Sequence, residues 1–121
     1  MTRAEAMAKV QPILAHAWMV RAFLKHADEV QDDADMLEVH RMIFDYIRAV
    51  EPSFLRGDAE EFVHRAKGKL PKLKKQAEFF QANFQRISDH TNYQMAAASL
   101  TAVVAELETV LGAVNKDAAI E

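Results

Sequence analysis

Apolar residues recur along the chain at alternating spacings of three and four, the pattern of an α-helix that turns one face to a core. The longest example runs through Val63, Ala66, Leu70, Leu73, Ala77, Phe80, Phe84 and Ile87 without losing phase. A strand alternates in steps of two, so this segment predicts one helix, roughly Ala59 to Ile87. Gly68 and Pro71 lie inside it. Because the phase survives the proline, the expectation is a helix kinked near Gly68–Pro71, with two helices meeting there as the lesser option. Gly57 breaks the chain just before, Asp58 offers a carboxylate to the free amides of the first turn, and Glu61 completes an imperfect capping box.

The last segment repeats the pattern at Tyr93, Ala96, Leu100, Val103, Leu107, Val110 and Val114, with Met95, Val104 and Leu111 widening the stripe. Ser88 or Asp89 is the expected cap, and Asn115-Lys116-Asp117 the end, leaving 115–121 as a frayed tail. A second segment places Met36, His40, Ile43, Ile47 and Val50 on its seam, beside Leu37 and Phe44. Asp33 or Asp35 would cap it and Glu51-Pro52 would stop it. The first segment shows Val10, Ile13, Ala17, Val20, Leu24 and Ala27, flanked by Leu14, Trp18 and Phe23. Pro12 fits there if the helix begins near Gln11, which makes residues 1–10 an N-terminal extension or an extra turn.

Four stripes with short connections predict a single domain over 1–121: all-α, an up-down-up-down antiparallel four-helix bundle with a kinked third helix. A composition of 50% apolar and 27% charged residues suits that bundle and excludes a disordered chain. The chain has no cysteine, so disulfides, thiolate metal sites and cysteine nucleophiles are out. Uninterrupted apolar runs reach only the size of Met95–Ala98 or Ala102–Ala105, short of the ~20 residues of a bilayer span, so no membrane association is expected. The first nine residues lack an apolar secretory core, and the expected location is cytoplasmic.

Charge adds an ordering. The net charge of −3 conceals segments of +3 over 1–27, −8 over 28–61, +5 over 62–90 and −3 over 91–121. In a square bundle, oppositely charged helices would be neighbours, which selects this topology over scrambled ones. The basic run from Arg65 to Lys75, with Lys67, Lys69, Lys72 and Lys74, holds six positive charges and no acid. It could meet phosphates of nucleic acid, but a solvated helix face paired with the acidic neighbouring helix is the preferred reading.

Five histidines are the remaining candidates for chemistry. His26 and His40 are equidistant from the first connection and could share a layer with nearby carboxylates, a donor set suited to zinc, iron or manganese. Glu61-x-x-His64 supplies only one of the two Glu-x-x-His pairs that a di-iron bundle requires. Arg21 and His26 have an Arg-x4-His spacing, used by helical RNA-cleaving domains, yet it puts them about 140° apart on a helix, so they do not face one substrate together. Around the start of the last helix, His90, Asn92 and Gln94 remain once Ser88 and Asp89 are assigned to capping, and they mark a candidate recognition surface. Phe54 and Leu55 are expected to plug the opposite end. Met19, Phe62 and Phe79 fall off the seams and suggest an association patch.

No nucleophile, base and oxyanion donors converge, and no phosphate-binding glycine loop occurs. The function expected is therefore a non-enzymatic interaction or scaffolding module, without a cofactor, binding a protein partner or self-associating. The alternative is a metal- or small-ligand-binding bundle using His26 and His40.

Overall fold

The computed structural model describes residues 1–115. Among them are four α-helices, α1 (Arg3–His26), α2 (Ala34–Leu55), α3 (Ala59–Asn83) and α4 (Thr91–Gly112), with 3₁₀ turns at Asp28–Val30 and Phe84–Arg86 and no strand. The helices pack against one another as a four-helix bundle, α1 on α2 and α4, α3 on α2 and α4, and α1 also touches α3. Across α3 and α4, Gln81 meets Thr101 and Lys74 meets Glu108, so residue number falls along one helix as it rises along the other.

Helix α1 begins eight residues before the expected start, and residues 1–10 are not an extension. The reason is a capping box: the Thr2 hydroxyl accepts from the Glu5 amide at 3.0 Å, and the Glu5 carboxylate accepts from the Thr2 amide at 3.1 Å. These bonds, the backbone amide's first, hold the Glu5 carboxyl below its ordinary value. Pro12 therefore lies within the helix rather than at its first position. Pro52 is also inside α2 instead of ending it, and Pro71 is inside a continuous α3, so the third helix is not split in two. Each proline deprives the carbonyl four residues back of its amide. Pro12, Pro52 and Pro71 are all exposed, and so are Ala8, Arg48 and Lys67, where water can take the amide's place.

Helix α2 ends instead in a Schellman motif: Gly57 stands at φ +70°, its amide donates to Phe54 O at 3.0 Å, and Asp58 N–H reaches Ser53 O at 2.9 Å. The Asp33 carboxylate caps the start of α2, and Asp58 caps α3 by accepting from Glu61 N–H. For α4 neither expected cap serves; His90 does, its Nδ1 accepting from the Asn92 amide at 3.0 Å.

The core takes the expected seams of α1, α3 and α4 with few changes. Phe62, expected off the seam, is fully buried, whereas Met95, expected on it, is exposed. On α2 the phase differs. Met36, Ile43 and Val50 are buried, but the intervening positions are Val39 and Tyr46 rather than His40 and Ile47. Both choices keep the three–four spacing; the one adopted spares an imidazole from full desolvation and buries a tyrosine whose hydroxyl donates to Ala66 O at 3.0 Å.

By length and composition alone α4 could cross a membrane, with a mean hydropathy of 1.4 over eighteen residues. Runs of apolar residues missed this because Ser99 and Thr101 interrupt them at small energetic cost. In the bundle α4 is a core helix that contributes Leu100, Val103, Val104, Leu107 and Leu111. Its end is joined to the start of the chain: the Met1 ammonium donates to Ala113 O at 2.9 Å and to Asn115 Oδ1 at 3.1 Å, and Asn115 N–H donates to Met1 O at 2.9 Å. Asn115 is thus held in place; the rest of the expected frayed tail, 116–121, lies outside the described residues.

Candidate functional site

The strongest candidate lies on the outer seam between α1 and α2. The three–four periodicity leaves Trp18 and Phe44 at the margins of their helices' buried stripes, and the packing of α1 on α2 brings their ring centroids within 6.2 Å. Above the rings lies the guanidinium of Arg21, its carbon 4.4 Å from the Trp18 centroid and 4.9 Å from that of Phe44. Arg48 joins from α2 at 5.8 and 5.2 Å. Arg48 also binds Glu51 at 2.6 Å. Arg21 has neither hydrogen bond nor ion pair among the described residues, and its Nε is buried without a partner. The rings attract it by about 0.5–2 kcal/mol, but they carry no counter-charge.

Next to this cationic, aromatic patch the seam opens into a groove of about 310 Å³ lined mainly by Leu14, Trp18, Ile47, Val50, Phe54 and Leu55. Phe54 and Leu55 do not plug the end of the bundle. Continuation of α2 through Pro52 puts them on its last turn, where Phe54 is 38% and Leu55 75% exposed. Phe54 also leans on buried Phe62, centroids 6.5 Å apart, which fixes one wall of the groove.

The expected histidine site is arranged differently. His26 is exposed at the end of α1 and His40 half-buried on α2, and no hydrogen bond joins them. Burial, followed by the positive charges of Arg21, Arg41 and Lys25, keeps His40 below the ordinary histidine pKa. Those cations also oppose a metal ion. Among the described residues no three His, Asp or Glu side chains are grouped to hold one. Two of the nearby acids are engaged elsewhere: Asp33 with Arg86 at 2.8 Å, and Glu29 with the Tyr93 hydroxyl at 2.9 Å. Desolvation and that carboxylate push the Tyr93 pKa up to about 12.

At the start of α4, His90 is spent on the cap and Gln94 donates to Asp89 O at 3.0 Å, which leaves only the Asn92 side chain of the expected recognition trio. Lys67, Lys69, Lys72, Lys74 and Lys75 all face solvent. The pairing expected with acidic α2 does not form. Lys74 instead bonds Glu108 of α4 at 3.1 Å, and the other four have no ion pair among the described residues. Arg41–Glu38, Arg48–Glu51 and Arg65–Glu61 each stay within one helix. Arg21 was visible in the sequence only as part of an unproductive spacing with His26; its place over two rings depends on the register between helices. Compared with known proteins, the chain matches no family model, no curated protein and no solved structure.

Proposed function

We propose that the chain is a non-enzymatic helical interaction module that binds a segment of a protein partner in the α1–α2 groove. The observation carrying this reading is the combination of Leu55 and Phe54, left exposed beside an apolar groove, with Arg21, a guanidinium without a counter-charge among the described residues. Isolated exposed apolar side chains are common, whereas a contiguous apolar wall ending at an unpaired cation is costly to maintain without a use. The site holds no nucleophile beside a base, which favours binding over catalysis.

The test is selection of displayed helical peptides on the full chain, followed by rebinding to Phe54→Ser and Leu55→Ser. Both positions are exposed enough for these variants to fold. Selected peptides should lose at least about tenfold in affinity for each variant. Failure to select any binder, or binders indifferent to both substitutions, would overturn the reading. Self-association is the second reading, favoured by Met19 and Met95, which are 67% and 61% exposed and line a common groove between α1 and α4. Light scattering that gives a strict monomer removes it.

A further inference from the structure

We infer that the occupant of the α1–α2 groove is an acidic amphipathic helix, with an apolar anchor and a carboxylate two turns apart; this rests on the docking reading above. The spacing follows from the groove's own helix. Leu14 lines the apolar depression between Gln11 and Trp18 of α1, and the unpaired guanidinium belongs to Arg21, seven residues along α1 from Leu14. At 1.5 Å per residue that is about 10 Å, the i to i+7 distance of a second helix laid along the groove. A bulky aliphatic side chain fills the depression, and an Asp or Glu seven positions away reaches the guanidinium edge.

Charge complementarity sets the sign. Over the aromatic pair stand Arg21 and Arg48. Glu51, which also lines the groove, offsets Arg48, so the charge left without an ion pair beside the rings is the positive one of Arg21. A carboxylate arriving there gains charge-assisted hydrogen bonds from a guanidinium already placed over two rings, so little side-chain freedom is lost. A basic helix would add like charge to the same spot. The groove is open along its length between two helices, which suits another helix better than a single alkyl chain.

Trp18 is the only tryptophan of the chain and forms part of the site, so its fluorescence reports occupancy directly. Three tryptophan-free helical peptides of about 16 residues are titrated into the full chain, each with Leu and, seven positions on, Glu, Gln or Lys. A second set reverses the order to allow either orientation. The Glu peptide is expected to bind about tenfold tighter than the Gln peptide, with Lys weakest. That preference is expected to vanish in Arg21→Met and to survive, weakened, in Arg48→Gln, which also serves if Arg21→Met fails to fold. Equal Trp18-reported binding of all three peptides overturns the acidic preference and leaves the docking reading standing. No Trp18 response to any peptide, or a response to decanoate alone, overturns both.

Discussion

One nitrogen of Arg86 lies 3.0 and 2.8 Å from the two carboxylate oxygens of Asp33, the residue that also caps α2 through the amides of Asp35 and Met36. One side chain thus starts a helix and ties it to the turn before α4. Burial raises the Asp33 pKa, but the Met36 amide and Arg86 outweigh it and hold the carboxyl below its usual range. Losing Arg86 removes the tie and its weaker contacts with Asp35 and the Phe79 ring but leaves the cap, whereas losing Asp33 removes tie and cap. Thermal denaturation should rank the wild type above Arg86→Ala, and Arg86→Ala above Asp33→Ala, by a few degrees at each step. Because the folded pKa is depressed, this contribution is present above the unfolded value and lost as pH falls through the folded one.

Ser53 is fully buried, and its hydroxyl has no hydrogen-bond partner among the described residues. The group carries a desolvation cost with no compensating bond, so its removal should help. Ser53→Ala is expected to raise unfolding stability by about 1 kcal/mol, measured by urea denaturation.

Gly57 occupies left-handed backbone at φ +70° with open space around its Cβ position. A side chain there meets no neighbour, so the cost is conformational alone. Gly57→Ala should destabilise by about 1–2 kcal/mol in the same assay, without loss of helix content.

His40 is held below its ordinary pKa by burial and by Arg21, Arg41 and Lys25, with Glu38 opposing weakly. The unfolded chain therefore takes up the proton first on acidification. Stability owed to a neutral His40 is complete above pH ~6.5 and declines as pH falls through the lower folded value. Denaturation midpoints should drop between pH 7.5 and 5.5, and His40→Gln should flatten part of that slope.

The helices were legible because their stripes keep phase over many turns: Val63 through Phe84 specify α3 despite Pro71. Even the true start of α1 was written as Thr2-x-x-Glu5, although Pro12 is a stronger-looking signal. On α2, residues 36, 43 and 50 fit two seams, and packing between helices, with Tyr46 reaching Ala66 O of α3, selects Val39 over His40 and Tyr46 over Ile47. The same limit hid the docking site. Trp18 and Phe44 each read as flanking residues, and nothing local to either segment sets the axial register that stacks them beneath Arg21. Charge totals per segment misled for a related reason: ion pairs depend on reach, and the α3 lysines point away from α2's acids.

The bonds between Met1 and both Ala113 and Asn115 mean that the described chain closes on itself. Helix order along the sequence is then one of several ways to cut a ring. A linker across this junction, with new ends opened at the exposed bend of residues 56 and 57, yields a circular permutant in which all four helices keep their neighbours.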